Sequence, residues 1–300
     1  MFHKLKRYFC NPKFALGCDL IKKHPNWMSD RFFIETEWQR LMGYNLNLKS
    51  PKTFNEKLQW LKLYDRNPLY TKLVDKVLVK NWVAEKIGAE YIIPTLAIWE
   101  CAEDIDISQL PDQFVLKCNH DSGSIIICKD KSTFDITKAK EKLSKALKQN
   151  YYWNSREWVY KDIRPLIFAE PYIIDCEKND LPDYKFFSFD GKVKVLFIAT
   201  ERASKTTETR FDFFDMDFNH FNVENGHPNA NKIPEKPKCF DRMIKFAEIL
   251  SRGIPHVRCD FYEANGRLYF GELTFYHWSG FVPFQPYSFD EYLGDFIKIK

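Results

Sequence analysis

The stretch that most constrains this chain is residues 257–280, VRCDFYEANGRLYFGELTFYHWSG. Polar and apolar residues alternate on either side of Asn265-Gly266, which predicts two antiparallel strands joined by a tight turn. A three-residue loop, Asn265-Gly266-Arg267, sets Val257 opposite Phe275, Cys259 opposite Leu273 and Phe261 opposite Gly271 on one apolar face. The other face then pairs Arg258 with Thr274 and Asp260 with Glu272. A two-residue turn would slip the pairing by one and scatter the apolar residues over both faces, so the longer loop is expected. Directly opposed carboxylates cost up to about 1 kcal/mol and call for a cation, either Arg258 or a bound Mg²⁺. A surface hairpin with solvated charges is the alternative.

With 45% hydrophobic and 29% charged residues, the 300-residue chain is globular, either one large domain or two small ones. The 27 phenylalanines suit strand-rich packing or a sugar-binding surface. A net charge of +4 without a dense Lys/Arg face argues against nucleic acid as a partner. Eight cysteines show neither a CxxC pair nor zinc-type Cys/His spacing, and are expected to be reduced residues of a cytoplasmic protein. No long apolar run and no signal-peptide core are present, so membrane spanning and export are not expected. Residues 1–24 carry Lys4, Lys6, Arg7, Lys13, Lys22 and Lys23 against a single Asp19. They suit either a peripheral contact with the anionic inner membrane or an ordinary helix with a solvated basic face.

From 30 to 90 the periodicity is helical. Ser29-Asp30 caps a helix carrying Phe33, Ile34, Trp38 and Leu41 and ended by Gly43. Thr53 and Glu56 form a capping box ahead of Phe54, Leu58, Leu61 and Tyr64. A third helix is expected over 70–87, with Asp75-Lys76 near its middle. Strands are expected over 91–99 and 114–118, the latter running through Lys117 into the loop 119–124, NHDSGS, and a further strand at 125–128. A Gly/Ser loop between strands can turn several N–H groups toward phosphate oxygens, or can be a plain hairpin turn. Further on come a Lys-rich helix at 135–150 and an apolar strand at 166–174 interrupted by Glu170-Pro171. A hairpin at 184–200 turns at Asp190-Gly191, an unpatterned polar loop spans 201–231, and a helix covers 240–253.

In order, Asp75-Lys76, Lys117 with its Gly/Ser loop, Glu170-Pro-Tyr-Ile, Asp183, Arg258-x-Asp260 and Glu272-x-Thr274 resemble the ATP-grasp superfamily. SPKTFNEKLQWLKLYDRNPLYTKLVDK (50–76), FVLKCNHDSGS (114–124) and FGELTFYHWSG (270–280) resemble, more closely, the TupA-like ATP-grasp family of bacterial proteins associated with surface polysaccharide and teichuronopeptide synthesis. The resemblance implies an α+β fold: an N-terminal helical region (1–74), then an ATP-grasp domain (75–300) whose two α+β lobes, 75–172 and 173–300, clasp ATP. It implies that Lys76 and Lys117 touch phosphates, with Asp121, Ser122, Gly123 and Ser124 closing over them. Glu170, Pro171, Tyr172 and Ile173 would receive the adenine and Asp183 the ribose. Asp260 and Glu272 would hold Mg²⁺, and Arg258, with Lys117, would stabilise the phosphoryl group in transfer. Thr274 stands where many members have Asn, a better second-metal ligand.

The implied chemistry is an ATP-dependent carboxylate–amine ligase. A carboxylate resists amines until phosphorylation gives it a leaving group, which requires cations around the γ-phosphate and exclusion of water. The expected substrates are a small or glycan-linked carboxylate, such as a uronic acid of a capsule or other surface polysaccharide, and an amine or amino acid. Arg202, Lys205 or Arg210 could add a phosphate contact, or be solvated charges. His277 and Trp278 could border the acceptor pocket, and His120 could touch phosphate or face solvent. The alternatives are a metal-dependent glycosyltransferase using Asp215-x-Asp217, and a non-catalytic glycan binder.

Overall fold

The computed structural model describes residues 27–175, 181–202 and 208–299. The basic stretch 1–24, three of the cysteines (10, 18 and 176) and Lys205 lie outside them. In chain order the first elements are α1 (Asp30–Met42), α2 (Phe54–Tyr64), α3 (Leu69–Val74), α4 (Leu78–Ile87), β1 (Ala97–Trp99), β2 (Phe114–Cys118), β3 (Ile126–Cys128), α5 (Ile136–Leu147) and α6 (Tyr152–Ser155). They are followed by β4 (Ile167–Pro171), β5 (Asp183–Phe189), β6 (Lys192–Thr200), β7 (Arg210–Phe214), β8 (His220–Phe221), α7 (Phe240–Leu250), β9 (Val257–Ala264), β10 (Arg267–Thr274) and α8 (Tyr287–Gly294).

The backbone forms two compact units. One takes the described residues up to Asn67, Tyr152–Trp158 and those from Tyr276 on; the other takes Pro68–Tyr151 and Val159–Phe275. By this division residues 68–74, 152–158 and those from 276 on group differently from the 1–74 and 75–300 regions that the sequence suggests.

The first unit is helical. Ser29 Oγ accepts from the Phe32 N–H to start α1, and Gly43, at φ 83°, ends it. The reciprocal Thr53/Glu56 capping box starts α2 as its sequence predicts. Phe33, Ile34, Trp38, Phe54, Leu58 and Leu61 are buried, whereas Leu41 and Tyr64, expected on the same stripes, are exposed. Lys62 is fully buried and donates to the carbonyls of Ser155 (3.0 Å) and Ser279 (2.7 Å). That satisfies an ammonium that α2 turns into the core.

The second unit contains two antiparallel sheets. The smaller has the order β1-β4-β2-β3, and its apolar face, with Phe114, Leu116, Ile167 and Ala169, packs on Leu143 and Ala146 of α5. The larger has the order β10-β9-β5-β6-β7-β8. Register puts Phe186, Cys259 and Leu273 on one face, where Phe186 meets Phe240 of α7 at 6.1 Å. Three expectations change here. The strand expected over 91–99 is only Ala97–Trp99. The loop expected at 201–231 contains β7 and β8, whose FDFF run (211–214) is too short to show periodicity among charges. The single helix expected over 70–87 is broken at Asp75 (ψ 112°), whose carboxylate accepts from the N–H groups of Val77 (2.8 Å) and Leu78 (3.1 Å) and so opens α4 afresh. The five described cysteines are free, and no helix among the described residues is long and apolar enough to cross a membrane.

Asp290 of α8 closes the first unit by accepting from Asn55 N–H (2.9 Å) and Asn55 Nδ2 (3.0 Å) at the start of α2. Burial pushes its carboxyl up from 3.8 to about 6, against the lowering effect of the Asn55 hydrogen bonds. A folded-state value above the unfolded one gives stability that is complete below the unfolded value and lost as pH rises through the folded one, in all roughly 3 kcal/mol. Urea unfolding should therefore show wild type losing stability relative to Asp290→Asn as the pH rises from about 4 to about 7. A difference that stays constant across this window would contradict the assignment.

Candidate active site

The second unit encloses a cavity of about 110 Å³ between its two sheets. Each wall follows from strand alternation. In the small sheet Lys117 pairs with Phe168 and Val115 with Glu170, so these four share the face opposite the apolar core. Lys117 Nζ donates to Glu170 Oε2 at 2.6 Å, and Lys80 of α4 takes Oε1 at 2.6 Å. Burial would raise the Glu170 carboxyl, but Lys117 and Lys80 hold it below its usual value.

The break between α3 and α4 delivers Lys76. Asp75 Oδ2 accepts from Asn119 Nδ2 (2.8 Å), and Lys76 N–H donates to the Asn119 carbonyl (3.2 Å), so the lysine is tied to the start of the 119–124 loop. Its ammonium donates to the Asp121 carbonyl. Ser124 Oγ donates to Asp121 Oδ1 (2.6 Å) and accepts from Cys118 N–H (2.9 Å), fixing the base of the loop, while Ser122 and Gly123 are exposed at its tip. All four of Asp121, Ser122, Gly123 and Ser124 line the cavity with Lys76 and Lys117. His120 does not: it is buried, with Nε2 facing the carbonyls of Ala146 (3.3 Å) and Gln149 (3.1 Å), so neither the phosphate nor the solvent reading holds.

The large sheet supplies a row of alternating charge. Arg202 donates to Asp183 Oδ2 at 2.5 Å, and the Lys185 ammonium pairs with the same oxygen at 2.7 Å. Lys185 also donates to Asp260 Oδ2, and Arg258 grips both Asp260 oxygens at 2.7 Å. From Arg258 the row continues to Thr274 Oγ1 (3.0 Å) and Glu272 (3.4 Å). Asp260 and Glu272 are opposite each other, as the sequence predicts. The cations that make this tolerable are Arg258 and Lys185. Burial pushes the Asp260 carboxyl up, opposed by Arg258 and Lys185. Burial also acts to raise Glu272, yet Lys76, then Lys185, Arg258 and Arg202, hold it at about 2. Asp183 Oδ1 is buried without a hydrogen-bond partner.

The hairpin reaches this register by another route than the one expected. Asn265 (φ 52°) and Gly266 (φ 71°) form a two-residue turn, so Phe261 pairs with Phe270 and not with Gly271. A bulge between Phe270 and Glu272 then shifts the pairing by one, so that Glu272, Leu273 and Thr274 meet Asp260, Cys259 and Arg258. Gly271 sits in the bulge, where an added Cβ would lie 3.0 Å from the Asp260 carbonyl and 3.0 Å from the Tyr262 ring.

Glu170, Asp183 and Glu272 line the cavity, whereas Pro171, Tyr172, Ile173, Arg258, Asp260 and Thr274 do not. Arg202 lines it too; Arg210 instead donates to the Asn229 carbonyl. His277 (buried) and Trp278 (exposed) belong to the first unit. The Asp215 carboxylate accepts from the N–H groups of Asp217 (2.9 Å) and Asn219 (2.8 Å) and from Asn219 Nδ2 (2.8 Å), so it shapes the turn between β7 and β8. Lys185, Tyr262 and Lys80 escape sequence reasoning. The first two stand two residues beyond Asp183 and Asp260 on their strands, so alternation could have found them. Lys80 carries no comparable signal.

A family model, TupA-like ATPgrasp, matches residues 56–298. The chain belongs to the TupA-like ATP-grasp family. None of the curated proteins matches it. Among solved structures, a D-alanine–D-alanine ligase from Bacillus anthracis complexed with ATP is similar at 17% identity over 67% of this chain and 53% of that one, with a TM-score of 0.37. An L-amino acid ligase from Bacillus licheniformis is similar at 11% identity over 85% of this chain and 56% of that one, with a TM-score of 0.43. The chain thus spans about half the length of these structures.

Lys185 neutralises both Asp183 and Asp260, and its removal leaves two buried carboxylates short of a counter-charge. Lys185→Met should destabilise the protein by roughly 3–5 kcal/mol, read as a lower urea midpoint at unchanged m-value. A stability within about 0.5 kcal/mol of wild type would mean that the row does not hold the sheet together.

Proposed function

We propose that this protein is an ATP-dependent ligase that activates a carboxylate as an acyl phosphate and joins it to an amine, amidating a uronic acid or similar group in bacterial surface polysaccharide synthesis. The observation that carries the reading is the cavity itself. Lys76, Lys117, Lys185 and Arg202 line it together with Glu272, and the carboxylates held by Lys117, Lys185 and Arg202, like the Asp121 carbonyl held by Lys76, can be exchanged for a phosphate oxygen. The unpartnered Asp183 Oδ1 is suited to a ribose hydroxyl, and Glu170 to the adenine amino group. At about 110 Å³ the cavity is below the roughly 300–1,000 Å³ of ligand pockets, so the 121–124 loop lifts to admit ATP and re-closes.

The carboxylates fit Mg²⁺. Among the described residues no group of three or more His, Cys, Asp or Glu forms a metal cage, but Mg²⁺ is ordinarily held by one or two carboxylates with phosphate oxygens. Glu272 is held ionised and partly open to the cavity; Asp260 joins it when Lys185 turns from Asp260 to the phosphates. Bound there, Mg²⁺ would supply positive charge against the phosphates. Lys76 and Lys117 orient the triphosphate while Arg258 offsets the charge that builds on the transferred phosphoryl group. The closed loop keeps water from the acyl phosphate until the amine attacks its carbonyl carbon and phosphate leaves.

Incubation with ATP, Mg²⁺, glucuronate and hydroxylamine should yield a hydroxamate, and ADP release should require both a carboxylate and an amine. Glu272→Gln should lower ADP release by roughly 10²–10³-fold, the loss typical of one charge-stabilising group. If a nucleoside-diphosphate sugar raises the melting temperature while ATP does not, the ligase reading fails.

A further inference from the structure

Glu170 poses a problem that the site as described leaves open. Both its oxygens are taken by lysines, and it is only 5% exposed. A nucleotide that recruits Lys117 strips one counter-charge from a buried carboxylate, at heavy cost unless another stays.

The two lysines are held differently. Lys117 lines the cavity and its ammonium is bonded to Glu170 Oε2. Lys80 does not line it: its side chain is 13% exposed and its ammonium pairs with Glu170 Oε1 (2.6 Å) and donates to the Ile93 carbonyl (2.9 Å) and Thr95 Oγ1 (2.7 Å). Three acceptors use up the three N–H groups of an ammonium, and the Phe168 ring, 5.2 Å away, packs beside it. One lysine can therefore swing into the cavity while the other stays.

We propose that Lys80 is a positioning residue that keeps Glu170 ionised and in place, so that Lys117 can pass from Glu170 to the nucleotide phosphates without leaving an unpaired charge behind. This rests on the nucleotide reading of the cavity. Charge makes a specific demand. Without Lys80, transfer of Lys117 leaves Glu170 bare unless it takes up a proton, so binding becomes coupled to proton uptake and weakens as pH rises.

The test is ADP affinity, measured by titration calorimetry with Mg²⁺ between about pH 6 and pH 8. Wild type and Lys80→Arg should give flat profiles. Lys80→Met should bind at least about tenfold more weakly at pH 8, recover toward acid pH with a limiting slope near tenfold per pH unit, and take up about one proton per ADP bound. In a Glu170→Gln background the same substitution should lose its pH dependence, because a neutral amide needs no counter-charge; the unsatisfied Ile93 and Thr95 groups are common to both backgrounds and cancel. An equal, pH-independent loss in both backgrounds would reduce Lys80 to a packing residue and overturn the proposal alone. Failure of wild type to bind ADP or ATP would overturn the nucleotide reading, and this inference with it. Should Lys80→Met not fold, wild type still decides: proton uptake on ADP binding at pH 8, read from calorimetry in buffers of different ionisation enthalpy, would show that Lys80 does not hold Glu170 ionised.

Discussion

The second unit depends on a problem that its own sheet creates: two carboxylates, Asp260 and Glu272, brought face to face on adjacent strands. Pairing them is unfavourable unless positive charge is built into the same surface. The sheet answers with alternation on both axes. Along each strand a charged residue recurs at every second position, as Asp183 and Lys185 on β5 and Arg258 and Asp260 on β9; across strands, Lys185 stands opposite Asp260. The row from Arg202 to Glu272 is thereby neutralised link by link, its middle members buried and its two ends, Arg202 and Glu272, partly open. Hydrophobic residues of similar volume could stabilise such a surface at least as well, so stability alone gives no reason to keep it charged. Exchange of its members with nucleotide phosphates, as proposed above, would give such a reason.

The small sheet repeats the arrangement at lower density. Its cavity face carries Lys117 and Glu170, its other face is apolar, and two further charges come from outside the sheet, Lys76 from the break between α3 and α4 and Lys80 from α4. The helix break between them does chemical work, since an unbroken helix would hold Lys76 in its own ladder. Asp75 replaces the lost turn with a cap on α4 and a bond to Asn119, and Asn119 in turn accepts from Leu166 N–H (2.8 Å). One buried amide thus locks three segments, and the lysine at the break points where the loop closes.

Much of this was legible in the sequence, for reasons tied to particular residues. The capping box at Thr53, the glycine stop at Gly43, the Asp190-Gly191 turn and the opposition of Asp260 to Glu272 are local or follow from a period of two. The misses share a different cause. The 70–87 segment reads as one apolar period, whereas Asp75 breaks it by capping α4 locally and by accepting from Asn119, a partner 44 residues away. In the same way β7 forms along the edge that β6 offers, and β8 along the edge of β7. Lys80 is invisible because a lysine on a helix reads as solvated until its acceptors, from segments 13 to 90 positions away, are known.

Gly271 shows how narrowly the register is set. The Asn265-Gly266 turn is the favoured two-residue type, but taken alone it would carry its one-residue offset all the way down the hairpin and put Glu272 on the apolar side against α7. The bulge absorbs the offset within one residue, and it does so next to Asp260, where backbone and the Tyr262 ring leave no space for a side chain. The hairpin can therefore keep an easily formed turn at one end and a demanding charge arrangement at the other, because a residue without a Cβ lies between them. Seen this way, the opposed carboxylates are not an accident of pairing: the strand departs from regular geometry at the one position that brings them together.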